Sequence, residues 1–306
     1  MRELRFDGRV AVITGAGRGL GRAHALLLAS KGAQVVVNDP GSSIPGDGVD
    51  ARPAEGVAQE IRAVGGVAVA CTESVATPAG GKAIIQAALD YYGRIDIVIH
   101  NAGNVRRASL KEMTYEDFDA VVDVHLRGAF HVVRPAFPIM CKAGYGRIVL
   151  TSSIGGIYGN KLVANYCAAK AGLIGLSSAL ALEGAEEGVK SNVVIPAAVT
   201  RLSEGIDTSA FPPMPPELVA PVVGWLVHES CSITGEMLIS AAGRVAKAFL
   251  AETRGVYRPS WTVEEVAEEM AAIRGTSSPW ILAPVPSGFM EHLGRSFEMA
   301  RKGRIA

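Results

Sequence analysis

The stretch that decides the fold is Thr14–Gly21, TGAGRGLG, which ends the apolar run Val10–Thr14 and opens the helical segment AHALLLASKG at residues 23–32. Glycines in such a loop let the backbone turn tightly and approach a ligand without a Cβ clash. The helix behind the loop offers unpaired N–H groups and a partial positive charge to an anion. A glycine pattern alone is a weak signal, but its place between a strand and a helix predicts a dinucleotide-binding turn.

Six more short apolar runs follow, with helical segments between most of them. Runs that are apolar on consecutive positions are typical of strands covered by helices on both faces. The sequence therefore predicts an α/β fold, a Rossmann-type doubly wound parallel sheet of about seven strands with helices on both faces. The six further predicted strands are Gln34–Asn38, Val67–Cys71, Ile95–His100, Gly146–Thr151, Ser191–Ile195 and Met237–Ser240.

The sequence pattern changes after Gly243. This change predicts a Rossmann-type α/β domain over residues 1–243 and a C-terminal extension over 244–306. The extension could be a lid, a subunit contact or partly disordered. Within it, Thr262–Arg274 predicts an amphipathic helix with Thr262 as its N-cap, and Pro279–Pro286 predicts an extended segment.

Two segments are rich in residues that interrupt regular structure. Pro40–Pro53 combines Gly, Ser, Pro and Asp after the second strand, and Ser203–Pro216 carries four prolines before the last strand. Proline that dense cannot continue a helix, so both segments are predicted to be loops. Ser203–Pro216 is either a mobile lid over a substrate site or a plain surface connection.

Composition excludes several classes of protein. Thirty basic residues balance thirty acidic ones, which gives no reason to expect nucleic acid or an anionic membrane surface as the main partner. No stretch approaches the ~18 uncharged apolar residues of a membrane span. The four cysteines form no CxxC pair, so we expect no metal site and a reducing compartment. The N-terminus lacks a signal-peptide layout and Arg304–Ala306 is not a peroxisomal SKL-type address, which favours a cytoplasmic protein.

Asp39 ends the second strand, eighteen residues past Gly21, close to the spacing of about twenty expected for an acid that binds an adenosine ribose. A carboxylate there accepts both ribose hydroxyls and repels a 2′-phosphate, which predicts NAD. Arg18 points the other way, because a basic residue in the loop can bind a 2′-phosphate. Asp39 could also simply cap the loop before Pro40.

Tyr166 and Lys170 are spaced i,i+4 within SSIGGIYGNKLVANYCAAK, residues 152–170, so on a helix they share one face. A free tyrosine has a pKa of ~10, and a lysine ammonium nearby favours the phenolate and lowers that pKa. Ser153 lies thirteen residues before Tyr166, at the end of a strand, and can donate to a substrate oxygen. These three side chains predict acid/base chemistry at a hydroxyl or carbonyl group.

Over about residues 6–242 the chain resembles the short-chain dehydrogenase/reductase family, through TGAGRGLG, the NAG of Asn101–Gly103, Ser153 and the Tyr166/Lys170 pair. The resemblance implies hydride transfer between a nicotinamide and a secondary alcohol or ketone, a small-molecule substrate and a homodimer or homotetramer. Ser153, Tyr166 and Lys170 would be catalytic. The implied cofactor-binding set is Gly15, Gly17, Arg18, Gly19, Leu20, Gly21, Asp39, Ser74, Val75, Asn101, Ala102, Gly103, Tyr166, Lys170, Pro196 and Val199.

Two positions depart from the family pattern. Pro196 is followed by Ala197 where the family usually has glycine, and His125 stands where it usually has an asparagine that completes a proton relay. A neutral imidazole can hydrogen-bond water much as an amide does, so we expect His125 to be catalytic in that relay. The alternative is a histidine that only packs between helices.

A narrower resemblance concerns VDVHLRGAF, YGRIVLTSSIGGIYGN, LVAPVVGWLVHESC and VVVNDPG. These segments resemble the (3R)-hydroxyacyl-CoA dehydrogenase module of peroxisomal multifunctional enzyme type 2 and its stand-alone bacterial relatives. We therefore expect an NAD-dependent dehydrogenase of a fatty or steroid-derived 3-hydroxyacyl-CoA. The alternatives are an NADPH-dependent 3-oxoacyl reductase, another alcohol or steroid dehydrogenase, and a non-catalytic nucleotide-binding protein.

Coenzyme A is strongly anionic, so a neutral protein must gather positive charge locally to hold it. Arg106, Arg107, Arg201 and Arg244 are the candidates, since they follow strand ends on the edge of the sheet where ligands bind. Each of them could equally be a solvated surface arginine.

Overall fold

The computed structural model describes residues 3–204, 207 and 209–302. Helices and strands alternate along most of the chain. The strands are β1 (Val10–Thr14), β2 (Gln34–Asn38), β3 (Val67–Cys71), β4 (Ile97–His100), β5 (Gly146–Thr151), β6 (Val189–Ala197), β7 (Met237–Ala241) and β8 (Arg244–Ala248). The helices are α1 (Gly19–Ser30), α2 (Arg52–Ala63), α3 (Pro78–Tyr92), α4 (Tyr115–Val122), α5 (Gly128–Lys142), α6 (Ile154–Tyr158), α7 (Ala164–Glu183), α8 (Ala220–Val227), α9 (Val263–Glu268), α10 (Met270–Ile273) and α11 (Phe289–Lys302).

The eight strands form one sheet in the order β3-β2-β1-β4-β5-β6-β7-β8. Strands β1 to β7 pair in parallel, with Thr14 of β1 opposite both Asn38 of β2 and His100 of β4. The chain reverses its direction of winding between β1 and β4. Open α/β sheets bind ligands beyond the carboxyl ends of the strands at such a reversal, so this edge is where a site is expected.

Alternate residues of each strand enter two separate cores. Ala11 and Ile13 of β1 pack with α1, α2 and α8, whereas Val10 and Val12 pack with α3, α5 and α7. Because successive side chains of a strand point to opposite faces, a sheet buried on both sides must be apolar at consecutive positions. The predicted doubly wound sheet with helices on both faces is confirmed.

One strand of the sheet was not predicted from the sequence. Strand β8 follows β7 after a two-residue turn in which Ala242 and Gly243 have φ of 48° and 80°, the backbone of a tight hairpin. Its sequence RVAKA is mostly exposed, and Lys247 pairs with Glu236 at 2.9 Å. An edge strand with charged residues lacks the apolar run that marked the other seven strands.

Contacts divide the chain into two compact units between Lys247 and Ala248. The predicted boundary after residue 243 differs from this division only by β8. In the second unit Thr262 caps a helix as predicted, through a reciprocal pair of bonds with Glu265, but the helix is interrupted at Glu269 and continues as α10. The segment predicted to be extended contains Trp280, which forms an antiparallel bridge with Glu252. The role of the extension stays a prediction.

Both predicted loops lack long regular structure. Residues 40–51 precede α2, and Pro53 lies in the first turn of that helix. The second loop contains the 3-10 turns Arg201–Ser203 and Pro216–Leu218, and its residues 205, 206 and 208 lie outside the described part of the chain, as does Arg304–Ala306. Among the described helices we find none with the length and apolar character to cross a membrane.

Candidate active site

The glycine loop between β1 and α1 is packed too closely for side chains. A Cβ built on Gly15 would lie 2.7 Å from the Ala102 Cα, and one on Gly21 would lie 2.2 Å from the Gly15 carbonyl oxygen. Gly15 also has a φ of +63°, which favours glycine. The loop therefore presents bare backbone at the N-terminus of α1, which fits the pyrophosphate of a dinucleotide.

Asp39 is held directly against this loop at the end of β2. Its Oδ2 accepts the Gly17 N–H at 2.9 Å and its Oδ1 accepts the Gly41 N–H at 2.7 Å. An ionised carboxylate has about four acceptor sites, so each oxygen keeps one for a ribose hydroxyl. A Cβ on Gly17 would lie 2.8 Å from Oδ2, so glycine at this position is what allows the carboxylate to approach.

The cavity beside Asp39 has the lining that a bound adenosine half would need. It brings together the predicted loop residues, with Arg18 among them, and the predicted adenine and ribose residues, and it adds Arg201. Its lining includes Gly15, Arg18, Gly19, Leu20, Asp39, Ser74, Val75, Asn101, Ala102, Gly103, Thr200 and Arg201. His131 of α5, which sequence reasoning missed, holds this wall by a 3.0 Å contact between its Nδ1 and the Val75 carbonyl.

A buried polar network ties the glycine loop to β4. The Thr14 hydroxyl oxygen accepts N–H bonds from Asn101 and Ala102, both at 3.1 Å, so its proton is free for His100 Nδ1, also at 3.1 Å. His100 Nε2 must then carry the hydrogen, which it donates to the His125 carbonyl at 3.1 Å. Burial lowers the pKa of His100 to about 3, so the ring stays neutral. The His100 link was not foreseen from the sequence.

A second cavity of about 410 Å³ adjoins the first and contains the predicted acid/base group. Ser153, Tyr166, Lys170 and His125 all line it. The two cavities share lining residues, which are Leu20, Asn101, Gly103 and Thr200. A ligand that extends from Asp39 past these residues therefore reaches Tyr166.

Lys170 and Tyr166 share one face of α7, as predicted. Lys170 Nζ lies 5.4 Å from the centre of the Tyr166 ring and donates to the Thr151 carbonyl at 2.5 Å. Burial lowers the pKa of Lys170 to about 7. It also raises the pKa of Tyr166 above 10, opposed by a hydrogen bond from Ser153 and the charge of Arg107.

The expected lowering of the Tyr166 pKa by Lys170 is therefore not found in the protein alone. Desolvation disfavours the charged form of each group, and a lysine whose own pKa is near 7 is a weak source of positive charge at that pH. The correction concerns the sign of the shift and leaves the arrangement of the two side chains as predicted.

Ser153 stands at the junction of β5 and α6. Its backbone is extended, and its Oγ accepts the Gly155 N–H at 3.1 Å as the N-cap of the short helix. Because that bond uses only a lone pair of Oγ, the hydroxyl proton can be donated to the Tyr166 oxygen or to a substrate oxygen in the cavity.

His125 lies in a π-helical turn, Asp123–Arg127, inserted between α4 and α5. Such one-turn bulges re-aim a side chain without ending the helix, and they are frequent at functional sites. The ring is 1% exposed, and its Nε2 lies 2.8 Å from the Asn104 carbonyl and 3.1 Å from the Asn104 nitrogen. Burial, with Lys170 adding to it, lowers the pKa of His125 well below 6.5, so the imidazole is neutral.

Two features of His125 bear on the relay hypothesis. Of the two contacts of Nε2 with Asn104, the one to the carbonyl is the shorter. If Nε2 donates its hydrogen to that carbonyl, then Nδ1 is an acceptor. That Nδ1 is buried and has no hydrogen-bond partner among the described residues. The packing alternative also keeps support, because the ring makes an edge-to-face contact with Tyr166. The role of His125 stays a prediction.

The end of β6 and the segment that follows it line the catalytic cavity through Pro196, Ala198 and Thr200. Val199 is 40% exposed and its N–H donates to the Met214 carbonyl at 2.8 Å, so its predicted contact with the nicotinamide carboxamide stays untested. Thr200 lies so close to the glycine loop that a Cβ on Gly19 would be 3.3 Å from its methyl group. Thr200 was missed because neighbouring strand ends are not evident from one strand's sequence.

The four arginines considered for an anionic handle lie in different places. Arg107 lines the catalytic cavity, and Arg201 lines the Asp39 cavity and donates to the Ser42 carbonyl at 3.0 Å. Arg244 is exposed on β8. Arg106 is engaged by the carboxylates of Asp47 and Asp117.

Comparison with known proteins bears on this site. The family model "short chain dehydrogenase" matches residues 9–207, which include the glycine loop, Asp39, Ser153, Tyr166 and Lys170. The chain belongs to the short-chain dehydrogenase family. Its members are oxidoreductases that use a nicotinamide dinucleotide, and the cavity pair described above has the shape and chemistry for one.

Two relatives of this short-chain dehydrogenase are informative for opposite reasons. It is 49% identical over 260 residues to the peroxisomal multifunctional enzyme type 2 of Drosophila melanogaster. The aligned region covers 84% of this chain but only 43% of that enzyme. It is 42% identical over 271 residues to a short-chain type dehydrogenase/reductase of Mycobacterium tuberculosis, which covers 88% of this chain and 95% of that protein. The chain thus spans less than half of the first relative.

The fold similarity extends beyond the family model. The solved structure of the full-length Drosophila melanogaster enzyme superposes with a TM-score of 0.82 at 40% identity, over 98% of this chain and 50% of that one. The narrower resemblance seen in the sequence is therefore borne out at the level of relatives.

Proposed function

We propose that this short-chain dehydrogenase is an NAD-dependent 3-hydroxyacyl-CoA dehydrogenase acting on a fatty or steroid-derived substrate. The observation that carries the proposal is the junction of two cavities, one beside Asp39 and one lined by Ser153, Tyr166 and Lys170. The identity with multifunctional enzyme type 2 supports the substrate class, and the unbroken catalytic set argues against a protein that only binds nucleotides.

The residues suggest how the chemistry proceeds. When bound, the nicotinamide supplies the acceptor or donor of the carbinol hydride. Tyr166 takes the hydroxyl proton of the substrate during oxidation, or gives a proton to the carbonyl oxygen during reduction. Ser153 donates a hydrogen bond to the same oxygen and orients it. Lys170 donates to the Thr151 carbonyl and lies beside Tyr166, so it can exchange a proton with the site between the steps of the reaction.

The preference for NAD over NADP rests on Asp39. Its carboxylate is fixed by the Gly17 and Gly41 N–H groups at the end of β2, where a 2′-phosphate would bring a second negative charge. Two like charges that are brought together in a part-buried site repel each other more strongly than they would at the same distance in water. This position of Asp39 supports NAD, although Arg18 and Arg201 line the same cavity.

That pair of arginines favours a second candidate, an NADPH-dependent 3-oxoacyl reductase. Burial, with the charge of Arg18 adding to it, lowers the pKa of Arg201, so the two guanidinium groups are close enough to repel. A 2′-phosphate between them would relieve that repulsion. The comparison of NAD with NADP as cofactors for the purified protein separates the two candidates.

One experiment tests the substrate class. The purified protein is assayed with NAD and a (3R)-hydroxyacyl-CoA, and again with the same hydroxyacyl chain on a short thioester that lacks the nucleotide. We expect the CoA ester to have the higher kcat/KM. A preference for the truncated thioester, or turnover of free steroids without any CoA ester, contradicts the acyl-CoA assignment and leaves the dehydrogenase class intact.

Assembly and location complete the proposal. We propose a homodimer or homotetramer, as the family resemblance implies, to be checked by light scattering of the purified protein. We also propose a cytoplasmic location, supported by the four free cysteines, Cys71, Cys141, Cys167 and Cys231, which fit a reducing compartment. Cell fractionation checks that location against the peroxisomal one named for the relatives.

A further inference from the structure

Residues 40–51, here called the cofactor loop, form one wall of the Asp39 cavity. Pro40, Ser42, Ser43 and Gly46 line the cavity from this loop. The loop is closed at its base, where the Asp50 N–H donates to the Pro40 carbonyl at 2.8 Å. Its tip has bonds of its own, from the Ser43 N–H to the Asp47 carbonyl at 2.8 Å and from the Gly46 N–H to the Ser43 carbonyl at 3.1 Å, and it is also bonded from outside the loop.

Most of the bonds from outside the loop come from the segment that follows β4, and Arg201 adds one to the Ser42 carbonyl. The Val105 N–H donates to the Ile44 carbonyl at 3.1 Å, and the Asn104 side-chain amide donates to the Pro45 carbonyl at 3.3 Å. Arg106 adds two bonds, with Nε donating to the Pro45 carbonyl at 3.0 Å and Nη2 to Asp47 at 3.1 Å.

The third branch of the Arg106 guanidinium points away from the loop. Its Nη1 donates to Asp117 of α4 at 3.1 Å, so the planar group bridges the cofactor loop and a helix beside the catalytic cavity. A guanidinium presents its donors in a rigid fork, which is why one arginine can fix three partners at once. Its side chain is only 25% exposed. A substrate phosphate would meet a guanidinium that already pairs with two carboxylates and has three of its five N–H donors in use.

The backbone of Arg106 continues the link to the catalytic helix. The Asn165 side-chain amide donates to the Arg106 carbonyl at 3.1 Å and to the Asp117 carbonyl at 2.9 Å. Asn165 is fully buried, and its Oδ1 accepts the Tyr166 N–H at 2.8 Å, one of the donors left free in the first turn of α7. Arg106 therefore touches the cofactor loop with its side chain and the Tyr166 end of α7 with its carbonyl.

We propose that Arg106 is a positioning residue that joins the cofactor loop to the helix end carrying Tyr166, and that it is not a contact for an anionic substrate. The inference rests on the family's use of a nicotinamide dinucleotide and not on the acyl-CoA substrate. Loss of the guanidinium removes two of the bonds that hold the tip of the cofactor loop, so the binding of the dinucleotide weakens while the recognition of the substrate is retained.

The test is an equilibrium titration of NADH, and separately NADPH, into wild-type protein and Arg106→Ala, followed by protein fluorescence without substrate. The loss of two ion pairs of ordinary strength predicts a dissociation constant about two- to thirtyfold higher in the variant. The KM of the substrate, measured at saturating cofactor, should change by less than about twofold on the same basis. Hydrogen exchange should also rise in residues 40–51 of the variant.

Two further variants separate positioning from a general loss of structure. Asp47→Asn removes only the loop partner and should weaken cofactor binding in the same direction, with an effect that does not add to that of Arg106→Ala. Arg127→Ala is the matched control, because Arg127 also pairs with two carboxylates, those of Asp119 and Asp123, but joins no loop. It should leave the cofactor dissociation constant unchanged.

Three results would overturn the proposal. An unchanged NADH dissociation constant in Arg106→Ala makes Arg106 an ordinary surface arginine. A substrate KM that rises steeply and depends on salt, with cofactor binding intact, makes it a handle for an anionic substrate. An equal loss in Arg127→Ala shows a non-specific electrostatic effect. The titration needs no substrate, so its result does not depend on whether the substrate is an acyl-CoA.

Discussion

The imidazole of His125 stands edge-to-face against the ring of Tyr166, with centroids 5.2 Å apart and planes at 82°. This contact places a neutral histidine beside the acid/base residue, within a helix that a π-helical turn has re-aimed toward the cavity. Gly103 makes the contact possible, since a Cβ there would lie 2.5 Å from the His125 Cε1. The two rings and the glycine are therefore one packed unit.

Substitution of Tyr166 by phenylalanine tests the acid/base assignment. The change keeps the ring and its contact with His125 but removes the proton carrier, so kcat should fall by roughly 10²–10⁴-fold with NADH binding little changed. Steady-state kinetics and an NADH titration measure the two quantities. The control is Tyr158→Phe on the exposed end of α6, which should be active. Undiminished turnover in Tyr166→Phe would sink the assignment.

The pH profile of oxidation follows from the pKa directions at the same site. Oxidation needs the Tyr166 phenolate, and burial raises the pKa of Tyr166, so kcat/KM for the alcohol should increase from neutral into alkaline pH. Reduction needs the protonated phenol, so its kcat/KM should stay level until the pH approaches the raised pKa of Tyr166 and decline only above it. Because burial lowers the pKa of Lys170 to about 7, this side chain is mostly neutral in the alkaline range, so Lys170→Ala should lower kcat without moving the oxidation profile far along the pH axis. An oxidation rate that is flat above neutrality contradicts this account.

His125 can be tested as a relay residue with two substitutions. His125→Asn restores the residue usual in the family and should keep most of the activity, whereas His125→Leu removes the free Nδ1 and should cost far more activity than stability. Turnover and thermal unfolding are measured for both variants. Parallel losses of turnover and of unfolding temperature in the two variants would favour the packing role.

Cofactor preference can be shifted at Asp39. Asp39→Ala should narrow the preference for NAD over NADP, chiefly by raising the KM for NAD, because the ribose hydroxyls lose their acceptor. Asp50→Asn, a change at the base of the same loop that leaves Asp39 in place, serves as the control. A wild-type protein that works better with NADPH than with NADH would show that Arg18 and Arg201 outweigh Asp39.

Buried neutral histidines predict loss of stability in acid. His24 on α1 is fully buried, has no hydrogen-bond partner for either ring nitrogen among the described residues, and has a pKa lowered to about 3 by burial. An unfolded histidine has a pKa near 6.5, so the unfolded state gains the proton first as pH falls. Between about pH 6.5 and pH 3 the free energy of unfolding should therefore decrease, by up to about 5 kcal/mol for this group.

Denaturant unfolding at a series of pH values checks the His24 prediction. His24→Leu should flatten the decline in the free energy of unfolding below pH 6.5, because no proton can then be gained there. His292→Gln, at an exposed histidine in the extension, should keep the slope of the wild type. An identical slope in His24→Leu and wild type would show that His24 is not the source.

Some of the site was readable because it is local in the sequence. The glycine loop, the strand that precedes it and the Tyr166/Lys170 spacing each lie within one element, and their geometry follows from the periods of a helix and a strand. The sheet could be predicted from the sequence for the same reason, since strands buried on both faces must be apolar at every position. The exposed edge strand β8 was not predicted, because its residues are not required to be apolar.

The rest was decided by contacts between distant segments. The contact of Arg106 with the cofactor loop depends on what packs around it, and so does the link that His100 makes between Thr14 and the His125 carbonyl. The same holds for the pKa of Tyr166, which burial raises. The sequence by itself determined the parallel sheet, the dinucleotide turn and the members of the acid/base set, because side-chain period and loop chemistry act over a few residues. Only the tertiary structure decided partners, burial and charge state, because hydrogen bonds and desolvation depend on distances across the fold and not along the chain.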